Sequence, residues 1–478
     1  MGESGVADPK VPSKSLTVKQ KLPQYYAAVV VTISSLSAGC ALGWTSPLLL
    51  RLQGDSGTYK PLQHPLSDDE ASWVGSLLTI GAILGPILGG IFVDRFGRKM
   101  TIIALGGLPA VIGWIITLVA TSPGTIYAAR ILAGISTGSA LTVGPAYIAE
   151  SASPSERGTL CSLPQLMITI GIMLQYAIGP FVSYHALSGM DLVFPIIFIV
   201  GCFFLPESPY YLLAVDRKKE AEESLVWFRG GGVDVSSELE DISVAIDESG
   251  IRGSNIIDSM KNVFGTRGNR RAILLSCGIM FLQQFSGINA VLFNAEPILS
   301  GSGQGGSSMK GSTATMIVGA VQIFASWGTT ILVDRAGRRP LLIISCGVTA
   351  VALYTLGTHS YLEEQSRASG LGWLPVTSLI VYIISYCLGL GPLAWVVLSE
   401  LFPSKAKSAA GMFAGSFCWL LGFVVTRTFE PISVAAHPYG AYWLYASCTL
   451  AGVAFITLLL PETKCKSLEQ IQKELSGH

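Results

Sequence analysis

The chain reads as an all-α membrane protein: twelve transmembrane helices in two six-helix halves, joined by a short cytoplasmic helical linker domain. Three observations point there. Half of the 478 residues are hydrophobic and only 13% are charged, about half the charged share of an ordinary soluble domain. The apolar residues come in runs of about 20, the length at which an α-helix crosses a bilayer. A short basic motif also occurs twice. Gly90-Ile91-Phe92-Val93-Asp94-Arg95-Phe96-Gly97-Arg98-Lys99 returns 240 positions later as Asp334-Arg335-Ala336-Gly337-Arg338-Arg339. Each copy is a tight basic turn between two long apolar runs, as in a duplicated membrane protein.

Residues 1–24 are polar and carry Lys10, Lys14, Lys19 and Lys21. No short apolar core with a small-residue cleavage site precedes the first long run, so no cleaved signal peptide is expected. Six spans follow near 25–50, 71–93, 100–120, 125–149, 158–183 and 187–205, making an N-terminal half over 25–205. Many contain Gly and Pro, such as Gly81, Gly85, Pro86, Gly89 and Gly90. Such residues would weaken a soluble helix, but membrane helices use small residues for close approach. Residues 206–269 are polar. Ala221, Leu225 and Phe228 share a helical face there, as do Leu239, Ile242 and Ile246, and again Ile256, Met260 and Val263, which predicts short amphipathic helices. Six more spans lie near 270–299, 311–333, 340–360, 373–399, 407–430 and 438–460 (second half, 270–460), ahead of a C-terminal tail over 461–478.

Lys and Arg concentrate in the tail, in the two repeated turns and in the linker, while the opposite loops carry few, among them Arg51, Lys60, Lys310 and Arg367. The positive-inside rule then places both termini in the cytoplasm. Net charge is zero, which offers no general attraction for nucleic acid. The nine cysteines have no paired spacing, which argues against a disulfide framework or a zinc site. No nucleophile motif, nucleotide loop or metal-ligand cluster appears, so neither an enzyme nor a cofactor or metal is expected.

Further pairs extend the duplication. Glu150 precedes Arg157 by seven, and Glu400 precedes Lys407 by seven. Pro206-Glu207-Ser208-Pro209 ends the first half and Pro461-Glu462-Thr463-Lys464 the second. Two parallel repeats are the layout of a secondary transporter. With Arg130, Pro145-Ala146-Tyr147-Ile148-Ala149-Glu150, Ser155-Glu156-Arg157-Gly158 and, above all, Gln283-Gln284-Phe285-Ser286-Gly287-Ile288-Asn289-Ala290-Val291, the chain resembles the sugar porters of the major facilitator superfamily. Within them it is most similar to insect facilitated trehalose transporters and vertebrate class III glucose transporters.

The chemistry fits a sugar. Gln and Asn amides both donate and accept hydrogen bonds without a charge, so they bind hydroxyls without the cost of an intramembrane ion. Gln283, Gln284 and Asn289 lie mid-span. Six residues is not quite two turns, so an unwound stretch at Gly287 would help them converge. Interhelical hydrogen bonding is the alternative use of such amides. The resemblance implies that these three are the main sugar ligands, that Gln165, Ile168 and Ile172 are the first half's contribution, and that Gln322 binds sugar too. It also implies a broken helix at Gly389-Leu390-Gly391-Pro392-Leu393-Ala394-Trp395, with Trp395 as a wall against the sugar ring; Trp419 is either a second wall or a packing residue. Asp94, Arg98, Glu150, Arg157 and Glu207 in one half, with Asp334, Arg338, Glu400, Lys407 and Glu462 in the other, are implied to form salt bridges that keep the cytoplasmic side closed in the outward-facing state. The alternative is topogenic charge on a solvated surface.

The chain departs from the family pattern at Ala394, Cys387, Cys418, Tyr210 and Lys407. Proton-coupled relatives carry an acid after a Gly-aromatic pair in the first span, whereas Gly43-Trp44 is followed here by Thr45. Asp191 lies near a span edge and Glu296 at the outer end of the seventh span. The expectation is therefore a uniporter for a glucose-type hexose or trehalose, working by alternating access as a monomer in the plasma membrane. A proton-coupled symporter and a transporter-like sugar sensor are the alternatives.

Overall fold

The computed structural model describes residues 17–54, 61–249, 256–293, 311–368, 370–402, 404–463 and 468–476. These residues form helices and connecting turns, with no strand among them. The order is α1 Val18–Gly43, α2 Thr45–Leu52, α3 Asp68–Thr101, α4 Leu108–Leu118, α5 Pro123–Ser151, α6 Arg157–Ile178 and α7 Tyr184–Phe203. Four short helices follow: α8 Pro209–Ala214, α9 Lys218–Phe228, α10 Ser236–Ser249 and α11 Ile256–Gly265. Then come α12 Arg267–Phe285, α13 Ile288–Phe293, α14 Gly311–Ala336, α15 Arg338–Glu364, α16 Leu374–Leu388, α17 Leu390–Leu401, α18 Ser404–Leu459 and α19 Leu468–Ser476. Nine helical stretches among the described residues are long and apolar enough to cross a membrane.

Two stretches, Asp68–Leu118 and Ala409–Leu459, run for 51 residues each. The first is interrupted by a non-helical residue at Gly97 (φ 86°, ψ 176°) and the second at Ala436 and His437 (φ 58°, ψ 163°). Gly97 and Gly337 sit at matching points of the two repeats with nearly the same positive φ, 86° and 87°, a conformation that L side chains rarely adopt. Helices α3 and α5 press together through glycine. A Cβ on Gly81 would lie 2.1 Å from the carbonyl oxygen of Ile131, and one on Gly134 2.1 Å from that of Leu78. The expected small-residue packing is present there.

The short helices α8–α11 have the predicted buried faces. Ala221, Leu225 and Phe228 are fully buried, and Ile242, Ile246 and Val263 nearly so. Leu212, Leu225, Val235 and Ile246 share one small core, while Phe228 packs with Ala27, Tyr147 and Phe198 of the first-half helices and Val263 with Ala272 and Ala406 of α12 and α18. Ile256's side chain lies outside the described residues. On the surface of the long helices, Leu108, Ile112, Ile115, Val119, Ile196, Val200 and Phe203 are exposed, an apolar face that suits contact with lipid rather than water.

Candidate functional site

Two kinds of site emerge: a polar cluster inside the second half, and a pair of matching ion networks at the end of the bundle that carries α8–α11.

The cluster forms where helices break. α12 ends at Phe285 and α13 starts at Ile288, with Gly287 between them at φ +81°. The break turns Asn289 back toward the preceding turn, and its Nδ2 donates to Gln284 Oε1 (2.6 Å). Gln284 Nε2 donates to the Cys418 thiol on α18 (3.1 Å), and the thiol donates to Gln283 Oε1 (3.3 Å). Gln283 Nε2 then donates to the carbonyl of Gly391 (2.8 Å). Gly391 lies just beyond the second break, at Gly389 (φ −141°, ψ −85°), between α16 and α17. Tyr382 closes the back of the cluster by donating to the Ser286 carbonyl (3.0 Å). Buried amides in an apolar bundle must be partnered, and here each is.

Gln283, Gln284 and Asn289 are thus brought together as the spacing suggested. Ile168 and Ile172 on α6 share a core with Ile288, Ala290 and Trp419. Gln165, one turn before Ile168, is exposed. Gln322 on α14 is buried, and its Oε1 has no hydrogen-bond partner among the described residues, leaving an acceptor for a hydroxyl. Trp395 is half-buried, and a Cβ on Gly415 would lie 3.8 Å from its ring and 3.7 Å from Pro86 in the other half. Sequence reasoning marked Cys418 only as a departure from the family pattern, and it missed Gly422, where a Cβ would lie 3.1 Å from Asn289 Nδ2 and 3.2 Å from Gln284 Oε1; its place four residues after Cys418 on one helix face was the available signal.

The ion networks repeat almost bond for bond. Arg98 Nη2 donates to Glu150 Oε1 (2.9 Å), and Arg338 pairs with Glu400 (3.1 Å). The second oxygen of each glutamate accepts from a hydroxyl, Ser208 in one half and Thr463 in the other (2.5 Å). Glu207 accepts from the backbone N–H groups of Arg98 (2.9 Å) and Lys99 (3.0 Å). Glu462 accepts likewise from Arg338 and Arg339 (3.1 Å each). Burial pushes the Glu207 carboxyl above its usual range, while the N–H groups of Ser208, Lys99 and Arg98 pull it back. Each glutamate therefore sits on the first turn after the positive-φ glycine, where free N–H groups point outward. The Ser and Thr that follow Glu207 and Glu462 were legible as part of the repeated motifs, but their partners were not.

Some expectations change. Arg157 forms no ion pair among the described residues, and its Nε lacks a partner. The neighbouring Glu156 instead binds Lys21 (2.6 Å) and Tyr25 (2.5 Å) on α1. Asp94 is exposed and acts on Arg98 through charge alone. Asp191 is not at an edge. It is fully buried two turns inside α7, accepting from Gln175 Nε2 (2.7 Å). The side chains of Asp334 and Lys407, and all of Glu296, lie outside the described residues.

In the first half, Arg130 is 3% exposed. Its Nη2 donates to Thr45 Oγ1 (2.9 Å), Nη1 to the Ala41 carbonyl (2.7 Å) and Nε to the Val74 carbonyl (2.9 Å). Its partners are neutral oxygens. Far from α8–α11, the halves meet. Arg427 on α18 pairs with Asp69 (2.5 Å), donates to Ser72 (3.3 Å) and lies over the Trp73 ring (4.9 Å). Tyr176 donates to the Leu292 carbonyl (2.8 Å). Beside this contact lies a cavity of about 190 Å³ lined by residues of both halves, among them Gln53, Asp68, Phe293 and Glu430.

A bundle of membrane-length helices, broken at its centre around uncharged polar side chains and built as two matching halves, defines a membrane transporter of the major facilitator fold. The fold match is direct. The structure of the "MFS (major facilitator superfamily) proton:xylose symporter XylE" bound to a glucose derivative aligns with a TM-score of 0.76 at 25% identity, covering 95% of this chain and all of that one. A partially occluded inward-open form of the xylose transporter XylE from E. coli gives 0.75 at 25% identity, covering 93% and 99%. The family described as "Sugar (and other) transporter" matches residues 27–475, and the chain belongs to it: it is a multi-pass membrane sugar transporter and not an enzyme. The facilitated trehalose transporter Tret1 of Polypedilum vanderplanki is 35% identical over 457 residues (95% of this chain, 88% of that protein). That of Bombyx mori is 34% identical over 468 residues (98% and 90%).

Proposed function

We propose that the protein is a uniporter that equilibrates trehalose or a glucose-type hexose across the plasma membrane by alternating access, acting as a monomer. The observation that carries uniport is Arg130. Symport needs a carboxylate in the transport pathway that gains and loses a proton. At this position Arg130 meets the Thr45 hydroxyl and two carbonyls, and a hydroxyl has no accessible ionised state at physiological pH. The names of the trehalose transporters agree with this reading.

The sugar would bind to Gln283, Gln284, Asn289 and Gln322, against Trp395, Trp419, Ile168 and Ile172, with Gln165 reaching from the other half. The twelve-helix topology is supported by the two 51-residue stretches. At 1.5 Å per residue each is more than twice as long as the roughly 30 Å hydrocarbon core, and each is interrupted once. Residues 25–205 and 270–460 are then the two halves. Residues 206–269 are the linker, and 1–24 and 461–478 are tails, all three cytoplasmic by their charge. On that orientation Arg98–Glu150 and Arg338–Glu400 brace the cytoplasmic ends within each half, and Arg427–Asp69 joins the halves outside.

A second reading, proton symport, is favoured by one observation, the buried Asp191 beside Gln175. Labelled trehalose and glucose uptake into proteoliposomes, with and without an inward proton gradient, separates the two. Uniport predicts equal initial rates, no accumulation above the external concentration, and the same result for Asp191→Asn. Gradient-driven accumulation abolished by Asp191→Asn would establish symport.

A further inference from the structure

The polar cluster is a single directed chain of hydrogen bonds. It runs Asn289 Nδ2 to Gln284 Oε1, Gln284 Nε2 to Cys418 Sγ, Cys418 Sγ to Gln283 Oε1, and Gln283 Nε2 to the Gly391 carbonyl. It starts at one helix break, crosses to α18 through a buried thiol, and ends beside the other break. Both glutamine carbonyls are consumed inside it. The thiol is its one member that is a weak donor and a weak acceptor, so its two links are the easiest to exchange for a hydroxyl.

We propose that Cys418 is a positioning residue that couples sugar occupancy to the α16–α17 break: the incoming hydroxyl takes the thiol's place on the amides, and Gln283 thereby loosens its hold on Gly391. This rests on the reading of Gln283, Gln284 and Asn289 as the sugar site. The thiol holds the two glutamines in register and keeps the start of α17 tied to α12. Sugar competes with the thiol for Gln283 Oε1 and Gln284 Nε2. Once the thiol is displaced, α17 can swing at Gly389, whose backbone is already non-helical. The strength of the thiol links sets how readily a sugar enters, which makes residue 418 a determinant of affinity even though it need not itself bind the sugar.

The test uses the full chain in proteoliposomes with trehalose and glucose as probes. Cys418→Ser keeps the size and strengthens both links, so half-saturation should rise about three- to tenfold, the scale of one net hydrogen bond. Cys418→Ala removes both links, so half-saturation should fall while the maximal rate falls as well. A packing role predicts instead that Ser behaves like Cys and that Ala weakens binding. A Ser variant within twofold of the parent, or Ser and Ala shifting half-saturation in the same direction, overturns the proposal. An independent readout is the S–H stretching band of a variant retaining only Cys418, which should shift on adding saturating glucose or trehalose; an unchanged band overturns the proposal without relying on any change at position 418. Gln284→Ala and Asn289→Ala run alongside separate the two levels. If they weaken binding while the Cys418 measurements show no effect, the sugar site stands and the relay fails. If none of the four variants alters half-saturation, the site reading itself fails.

Discussion

The two halves are alike at one end and unlike in the middle. At the end that carries α8–α11, arginine, glutamate, hydroxyl and a second glutamate recur as Arg98–Glu150–Ser208 with Glu207 and as Arg338–Glu400–Thr463 with Glu462, each set folded around a positive-φ glycine. In the middle, the first half buries Arg130 among carbonyls and a hydroxyl, while the second breaks two helices and exposes amides to each other. The joints were kept in duplicate and the polar contacts were specialised. A joint must satisfy free helix-end N–H groups in both halves, which leaves little choice of residue.

The largest effect expected from breaking the likeness is at the glycines. Alanine at Gly97 must adopt φ +86° and place its Cβ 2.4 Å from Glu207 Oε2. At Gly337 the corresponding distance is 3.0 Å, to Glu462. Positive-φ backbone alone costs roughly 1–2 kcal/mol, and the contact adds to it at both positions, more at Gly97, where it is closer. Gly97→Ala should lower the unfolding temperature in detergent more than Gly337→Ala; equal losses would show that the two joints are the same in strain as well as in bonding.

Next come the centres. Gln284→Ala and Asn289→Ala should each weaken sugar binding by about 1–3 kcal/mol, the penalty of stranding buried partners, while Gln165→Ala, exposed in the first half, should cost less. Tryptophan fluorescence titration with trehalose and glucose measures this, and a Gln165 effect as large as that at Gln284 would make the two halves equal partners in recognition.

Arg98→Ala and Arg338→Ala remove matching pairs of similar exposure (19%/19% and 16%/25%). Both should bias the carrier toward the inward-open state to a similar extent, read as reduced labelling of an outer-face cysteine in a background without native thiols. A shift from one alone would mean that a single joint sets the equilibrium.

Arg427→Ala should give the smallest effect and the opposite sign, increasing outer-face labelling. Its partner Asp69 is 66% exposed, so the ion pair contributes less than about 1 kcal/mol, and the Trp73 contact adds little more. A large shift there would move the main lock of the inward-facing state to the outer surface.

Much of this was readable in the chain itself. Apolar run length, paired motifs and basic turns revealed the repeats and most helix positions, since membrane helices are dictated by local composition. The Gly287 break was expected from a glycine set among three amides, and the Gly389 break from the family resemblance. Partners were harder to read. Ser208 and Thr463 reach glutamates 58 and 63 positions away, Cys418 joins glutamines 134 and 135 positions away, and Arg427 finds Asp69 across 358. Asp191 looked peripheral by position and proved buried, since burial depends on which helices pack around it. Arg157 carried the motif, but the bond to α1 is made by its neighbour Glu156. Local pattern and hydrophobicity thus determine where the chain crosses and where it bends, while the convergence of distant side chains exists only once the helices have packed.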